Sequence, residues 1–339
     1  MKKRLFICIS VLLLGFLSPV RGQKVGLVLS GGGAKGLAHI GVIKALEEHE
    51  IPVDYVTGTS MGAIIGGLYA IGYSPEEMEE LVTSEEFVQW ANGVIPEKYI
   101  YQFKKNDQYP SLFSFKIEVE DSVPKAKLPT SLVSTHMMDY QFMKFMAPAA
   151  AKAKNDFDSL FVPFRCVATD ITHNREIVFE EGNLSQAIRA SMTFPFYYKP
   201  IQLDSIVYFD GGMKNNFPAD VMMEDFNPDY IIGSKTAENA PKPEADDILL
   251  QIQNVFLGNT DYDLPDSTGY LIDINTDSIS LFNFSRALSI IEKGYRTAMK
   301  NIDSLKRKIP VRCDTNQLQK RREQFKSGLP ELKFQKIEV

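Results

Sequence analysis

The chain has 339 residues, of which 44% are hydrophobic and 24% charged. This ordinary globular composition provides enough apolar material for one large or two medium domains. A formal net charge of −6 argues against a nucleic-acid-binding protein, which would need a basic surface. The four histidines and three cysteines form no closely spaced pairs, so the spacing of a zinc site is absent.

The first 22 residues have the pattern of a secretory signal. A basic start at Lys2, Lys3 and Arg4 precedes an apolar stretch, residues 5–17, that is short for a bilayer span. Residues 18–22 form a breaker region before Gln23. We predict that residues 1–22 are a cleaved signal peptide, with an uncleaved anchor as the alternative.

Apolar periodicity along the rest of the chain predicts an α/β protein. The predicted strands are 24–29, 53–56, 112–119, 164–170, 176–180, 201–203, 206–209, 230–233 and 270–274. The predicted helices are 37–49, 63–70, one that opens at Ser74 with a capping box, 134–146, 184–192, 245–257 and 285–308. Because the mature chain opens as strand–helix–strand–helix, we expect a parallel α/β unit there.

A glycine-rich loop follows the first predicted strand and allows several interpretations. Gly31, Gly33 and Gly36 match the G-x-G-x-x-G dinucleotide fingerprint, but the second strand does not end in an acidic ribose ligand. A P-loop is excluded because Leu37 follows Gly36. An oxyanion hole is the third interpretation, since consecutive glycines and a helix N-terminus present N–H donors to a negative oxygen. A flexible loop with a helix cap is the fourth.

The second strand runs into Gly58-Thr59-Ser60-Met61-Gly62, which has the G-x-S-x-G pattern of a nucleophile elbow. The serine of such an elbow takes a strained turn, so Gly58 and Gly62 are the small neighbours that the turn needs. Because the glycine loop and the elbow follow neighbouring strands, we expect them at the same end of the sheet.

No histidine has a pattern that supports it as the base for Ser60. His39 follows the glycine loop within a helix and is interpreted as structural. The others, at positions 49, 136 and 173, have no better support. Asp210 ends an apolar strand and precedes Gly211 and Gly212, so its carboxylate could accept the Ser60 proton directly; a plain β-turn is the alternative. Asp170, at another strand end, is the second candidate acid.

Together, Gly31–Gly36, Gly58–Gly62 and Asp210–Gly212 resemble the signature set of the patatin-like phospholipase family. Ala190–Pro195 resembles the family's A-S-x-A-x-P stretch, with Thr193 in place of the usual alanine. The resemblance covers residues 24–235.

The resemblance implies a three-layer α/β/α fold with a central, mainly parallel sheet. It implies that Ser60 and Asp210 form a dyad that hydrolyses phospholipid or other acyl esters through an acyl-enzyme, without a cofactor or metal. The implied oxyanion-hole residues are Gly31, Gly32, Gly33 and Lys35, and the supporting glycines are Gly36, Gly58, Gly62, Gly211 and Gly212. The alternative function is a nucleotide-binding module that uses the glycine loop without hydrolase activity.

Residues 23–310 are predicted to form the hydrolase domain. Residues 311–339 are predicted to be a basic linker and the start of a POTRA-like domain, because exported bacterial proteins of this type are often followed by such a domain and an outer-membrane barrel. The resemblance implies a periplasmic or outer-membrane location in a Gram-negative bacterium and contact with a membrane surface, but no nucleic acid. The oligomeric state stays open, with a homodimer among the options.

Two apolar segments could line an acyl groove, although such segments usually belong to a plain core. They are the Met- and Phe-rich helix at 137–146 and the aromatic loop at 194–198. Cys166 lies in an apolar strand pattern and is predicted to be a buried thiol, not a partner of Cys313 in a disulfide.

Overall fold

The computed structural model describes residues 22–96, 116–120, 123–127, 131–239, 242, 245–246, 250–251, 254 and 259–332. Residues 1–21 of the predicted signal peptide, the start of the strand predicted at 112–119, most of the helix predicted at 245–257 and the tail from 333 lie outside these residues.

The described chain is built on an eight-stranded sheet with the order β10-β9-β1-β2-β5-β8-β7, and β6 pairs with β5. The strands are β1 Val25–Leu29, β2 Tyr55–Thr59, β5 Phe164–Asp170, β6 Arg175–Phe179, β7 Ile201–Leu203, β8 Ile206–Asp210, β9 Tyr230–Lys235 and β10 Gly269–Asp273, with β3 Lys116–Glu120 and β4 Val123–Lys127 as a separate antiparallel pair. Strands β10, β9, β1, β2 and β5 run parallel, whereas β6, β7 and β8 are antiparallel to their neighbours. The predicted mainly parallel α/β class is confirmed.

Helices lie along and beyond this sheet. They are α1 Ala38–Glu48, α2 Met61–Ala70, α3 Pro75–Thr83, α4 Glu85–Ala91, α5 His136–Lys152, α6 Leu184–Ser191, α7 Ala219–Val221, α8 Ala287–Lys308 and α9 Thr315–Ser327. Helix α7 continues as a π-helical turn, Met222–Phe226. None of the described helices is long and apolar enough to cross a membrane.

The alternation of side chains along β1 separates two cores. Val25, Leu27 and Leu29 belong to the large core beneath most helices, whereas Val28 packs with the segment around Met222 on the other face. The predicted three-layer arrangement follows, with the second helical layer much thinner than the first.

The pairing of β5 decides where the ends of β2 and β8 meet. Its Phe164–Val167 part pairs with β2, and its Ala168–Asp170 part pairs with β8. Because β6 occupies the opposite edge of β5 along Cys166–Asp170, β2 and β8 share one edge and approach each other end to end. The last residue of β8 therefore arrives at the turn that follows β2.

The C-terminal segment differs from the prediction of a linker. Residues 315–327 form α9, which buries Leu318 and Arg322 against the domain. The Arg322 guanidinium forms an ion pair with Glu47 at the end of α1, and Lys326 pairs with Glu77. Only one face of α9 is buried, and few apolar residues are needed for it. The sequence of this stretch is therefore mostly polar and basic. The domain boundary at residue 310 stays a prediction.

Helices α1 and α8 cross at very short range through two glycines. A Cβ added to Gly41 would lie 2.0 Å from the Ile291 carbonyl oxygen, and one added to Gly294 would lie 2.0 Å from that of Ala38. Both obstacles are backbone atoms, so no rotamer change can relieve the contact. This crossing holds α1, and therefore the end of the glycine loop, against the long α8.

We predict that Gly294→Ala lowers the free energy of unfolding by about 3 kcal/mol, because the methyl group forces the two helices apart. An exposed helical glycine would respond in the opposite sense, since alanine favours the helix by roughly 1 kcal/mol. Urea unfolding measures the difference. Gly328→Ala is the control, because its Cβ would contact mainly the flexible end of Lys152; equal stability of the two variants would contradict the prediction.

Candidate active site

Ser60 occupies a strained turn between β2 and α2. Its backbone has φ 55° and ψ −118°, in the left-handed region that a serine rarely adopts. A Cβ at Gly58 would lie 2.4 Å from the Gly62 carbonyl oxygen, and one at Gly62 would lie 2.3 Å from that of Leu29. The two glycines therefore fit the close backbone packing of the elbow, as predicted. The Ser60 N–H donates to the hydroxyl of Ser191 at 3.0 Å.

The Ser60 hydroxyl faces a carboxylate. Its Oγ donates to Oδ2 of Asp210 at 2.7 Å, and the N–H of Gly212 donates to Oδ1 at 2.8 Å. The Asp210 side chain is buried. Burial raises its pKa to about 6, because desolvation outweighs the two hydrogen bonds that favour the ionised form. An Asp with such a pKa is charged at neutral pH yet able to take up a proton.

The backbone of Asp210 is fixed on both sides. Its N–H donates to the carbonyl of Thr193 at 2.9 Å, and its own carbonyl accepts from the Thr169 hydroxyl at 2.9 Å. The next residue, Gly211, lies so close to β5 that a Cβ would be 2.2 Å from the Val167 carbonyl oxygen. Position 211 therefore needs a residue without a Cβ.

The glycine loop lies beside Ser60, as expected from the sheet order; a Cβ on Gly31 would lie 3.2 Å from the Ser60 Cβ. The N–H of Gly31 donates to the Asn216 carbonyl at 3.0 Å, and that of Lys35 donates to the Gly32 carbonyl at 3.1 Å. Among the described residues, nothing accepts the N–H of Gly32 or Gly33. The Gly31 N–H is therefore already engaged by the Asn216 loop, and its role as an oxyanion donor stays a prediction.

The histidines form no hydrogen bonds with the Ser60–Asp210 pair. His39 is fully buried, its Nε2 donates to the Ser30 carbonyl at 2.9 Å, and its Nδ1 accepts from the Ser234 hydroxyl at 2.7 Å. Burial lowers its pKa to about 4, so this ring is neutral and structural, as predicted.

The rival acid, Asp170, is engaged elsewhere. Its carboxylate accepts from Nδ1 of His173 at 2.8 Å and from Nε of Arg175 at 3.1 Å. Burial alone would raise the pKa of Asp170, but the hydrogen bonds from His173 and Arg175 hold it below the usual value. Asp170 therefore acts as a structural anion. Within the described part of the chain, no group of three or more His, Cys, Asp or Glu could hold a metal ion.

A cavity of about 490 Å³ opens onto Ser60 and Asp210. Its polar wall includes Gly32, Gly33, Lys35, Asn216, Glu238 and Asp277. Its apolar wall comes from α2, α4, α5 and the 194–198 turn, and includes Leu68, Trp90, Phe142, Phe145 and Tyr198. The predicted lipid segments thus line the cavity in part. Met138 faces it, whereas Met137 and Met146 are absent from its lining and belong to the core.

Arg189 is a site residue that the sequence did not indicate. The residue is 4% exposed; its Nε donates to Asp139 on α5 at 2.7 Å and its Nη2 donates to the Lys199 carbonyl at 2.6 Å. Nη1 donates to the hydroxyl of Thr193, whose carbonyl anchors Asp210. One side chain therefore joins α5, the 194–198 turn and the backbone of the acid. A basic residue directly before the matched stretch Ala190–Pro195 was the one available signal.

The sequence model of patatin-like phospholipases matches residues 27–223. The chain belongs to the patatin-like phospholipase family. The matched range contains the glycine loop, the elbow and Asp210, the three features that meet in the cavity.

Three curated relatives illustrate the relationship. Patatin-like phospholipase domain-containing protein ZK370.4 of Caenorhabditis elegans is 32% identical over 203 residues, which are 59% of this chain and 13% of that protein. Lysophospholipase NTE1 of Mycosarcoma maydis is 34% identical over 60% of this chain and 9% of its own length. Human patatin-like phospholipase domain-containing protein 6 is 34% identical over 59% of this chain and 12% of its own length. The matched segment is therefore a small part of each relative.

Two solved structures are also similar. VipD from Legionella pneumophila matches with 16% identity and a TM-score of 0.44, over 83% of this chain and 67% of that one. ExoU in its complex with SpcU from Pseudomonas aeruginosa matches with 14% identity and a TM-score of 0.40, over 91% of this chain and 59% of that one. At these TM-scores the assignment to the patatin-like phospholipase family depends on the sequence match.

We predict that Asp210→Asn makes the protein more stable at pH 8. The folded-state pKa of about 6 lies above the ordinary 3.8, so the ionised carboxylate favours the unfolded chain above pH 6, by up to about 3 kcal/mol. An asparagine keeps an acceptor for Gly212 and a donor for Ser60. The gain measured by urea unfolding should shrink as the pH falls from 7 towards 4.

Asp170→Asn serves as the matched control for this prediction. Its pKa is lowered in the folded protein, so removal of its charge should destabilise the protein at pH 8. The same substitution at two buried carboxylates on neighbouring strands should then change the free energy of unfolding in opposite directions. A loss of stability on Asp210→Asn at pH 8 would contradict the assignment of a desolvated Asp210.

Proposed function

We propose that the protein is an exported serine lipid acyl hydrolase that cleaves acyl esters with the Ser60–Asp210 dyad. The observation that carries the proposal is the 2.7 Å hydrogen bond from Ser60 Oγ to a buried carboxylate at the wall of a largely apolar cavity. Export is proposed from the pattern of residues 1–22 alone.

The geometry supports a two-step reaction. In the first step Asp210 accepts the Ser60 proton while Oγ attacks the ester carbonyl carbon. The N–H groups of Gly32 and Gly33 would donate to the resulting oxyanion. Collapse breaks the ester bond, and the departing alcohol takes the proton from Asp210. In the second step Asp210 removes a proton from water, the hydroxide attacks the acyl-enzyme, and Ser60 recovers its proton as the fatty acid leaves.

The shape of the cavity supports a lipid substrate. Met138, Phe142 and Phe145 of α5 and Phe194 and Tyr198 of the turn provide an apolar surface for an acyl chain. The polar wall includes Lys35, whose pKa is lowered by burial although Asp277 and Glu238 oppose that shift. A partly desolvated cation beside the oxyanion donors suits the phosphate group of a phospholipid ester.

We predict that Ser60→Ala abolishes hydrolysis of medium-chain p-nitrophenyl esters, with a loss of at least about 1,000-fold in kcat/KM, because the acyl-enzyme can no longer form. A fluorophosphonate probe should label the wild-type protein and not the variant. Ser191→Ala is a milder comparison, since Ser191 accepts the Ser60 N–H but does not itself react. Absence of both turnover and labelling in the folded wild-type protein would overturn the proposed function.

We predict that kcat/KM rises with pH through an apparent pKa of about 6 and then levels off, because the base form of the Asp210 carboxyl is the ionised one. Histidine titrates in the same range, so His136→Gln and His173→Gln are the controls. Both rings bond to neighbours outside the dyad, and the profile should not move. A profile that loses its inflection in either variant would assign the base to histidine.

A further inference from the structure

Four exposed apolar side chains lie on three segments beside the cavity. They are Val94, Ile95, Leu132 and Phe196, and we call them the apolar rim. Leu132 is 77% exposed and Phe196 50% exposed, far more than large apolar side chains in a core. Exposed apolar residues that stand singly are ordinary, so the question is whether these four form one surface.

The three segments contact one another directly. The N–H of Leu132 donates to the Phe196 carbonyl at 3.0 Å, and the N–H of Val133 donates to the Tyr197 carbonyl at 2.9 Å. A Cβ on Gly93, next to Val94, would lie 2.7 Å from the Val133 side chain. Residues 93–95, 131–133 and 195–197 are therefore neighbours, and the rim is one patch.

The same three segments also build the apolar wall of the cavity. Each segment continues into residues that line the cavity. These are Trp90 and Ala91 before Val94, Met138 of α5 after Leu132, and Phe194 and Tyr198 on either side of Phe196. The Tyr198 hydroxyl donates to the Ala91 carbonyl at 3.2 Å, which ties two of these segments together. The apolar rim is thus the outer side of the wall whose inner side would receive the acyl chain.

Backbone strain supports an outward role for Phe196. Its φ of 62° lies in the left-handed region, which a bulky aromatic residue rarely occupies. In this conformation the turn places Phe194 and Tyr198 at the cavity and leaves Phe196 half-exposed. Such strain persists only where the surrounding structure fixes it, and it often marks a functional turn.

The segments around the apolar rim carry almost no charge, which indicates the kind of surface they can bind. Residues 92–96, 131–134 and 194–199 contain a single charged side chain, Lys199. The chain as a whole carries a formal net charge of −6, which opposes attraction to an anionic membrane. An uncharged apolar patch on an acidic protein suits a lipid surface without net charge, where burial of apolar side chains supplies the binding energy.

We propose that the apolar rim inserts into the surface of an uncharged, zwitterionic lipid bilayer and brings the apolar wall of the cavity to the acyl chains. This inference rests on the proposed lipid hydrolase function. It names the surface from which the enzyme takes its substrate and the residues that meet that surface.

Vesicle binding tests the inference without catalysis. The Ser60→Ala protein is mixed with phosphatidylcholine vesicles and separated by flotation. Leu132→Asp and Phe196→Asp should each weaken partitioning about tenfold, because each removes a large apolar side chain from the lipid and adds a charge. The wild-type rim should bind equally well at low and high salt, and more weakly to phosphatidylglycerol vesicles.

Met223→Asp is the matched control. Met223 is 40% exposed, like Ile95, but it follows Met222 on the opposite face of the sheet. This variant should partition like its parent. Leu132→Ser and Phe196→Ser replace the aspartates if thermal unfolding shows either charged variant to be misfolded.

A second readout separates this inference from the proposed function. For this readout the rim substitutions are made in the protein that keeps Ser60. They should lower the ratio of vesicle-lipid hydrolysis to hydrolysis of a soluble p-nitrophenyl ester by about tenfold. An active wild type whose ratio and partitioning do not change in the rim variants would overturn the rim alone. The inference would also be overturned if the rim variants lost self-association but still bound vesicles, because the rim would then bind a second copy of the protein. A wild type without any esterase activity would instead overturn the proposed function, while flotation still reports on the rim.

Discussion

A buried carboxylate that faces a serine hydroxyl is the constraint on which the rest of the structure depends. Asp210 can hold its charge there only because Ser60 and the Gly212 N–H donate to it. No cation is among the groups that set its pKa, which is why that pKa is raised and not lowered. Asp170, another buried carboxylate, accepts instead from His173 and Arg175, and these hydrogen bonds hold its pKa below the usual value.

This arrangement requires two strands to end at one point from opposite directions. Strand β5 provides the common edge, pairing first with β2 and then with β8. Glycines at the junction allow backbones to approach within distances that a Cβ would forbid, at Gly58 and Gly62 on one side and Gly211 on the other. The strain at Ser60 is tolerated because this packing leaves the turn no alternative.

The cavity is assembled on this junction from elements that are distant in sequence. Arg189 connects them, since its three donor nitrogens reach Asp139, Thr193 and the Lys199 carbonyl. Through Thr193 the same residue supports the backbone of Asp210. The walls that would bind an acyl chain and the acid that would activate the serine are therefore parts of one hydrogen-bonded network, which couples substrate fit to the chemical site.

The amino-acid sequence alone determined the α/β class, most of the strands, and the serine, the acid and the glycines of the elbow. These features are local: periodicity, turn residues and short motifs depend on neighbours along the chain. The tertiary structure decided which glycine N–H groups are free, since only the position of Asn216 shows that Gly31 is engaged. It also decided the role of Arg189 and the docking of α9, because both depend on contacts between distant segments. Long-range burial cannot be read from a local pattern when, as in α9, the buried face consists of one leucine and one arginine.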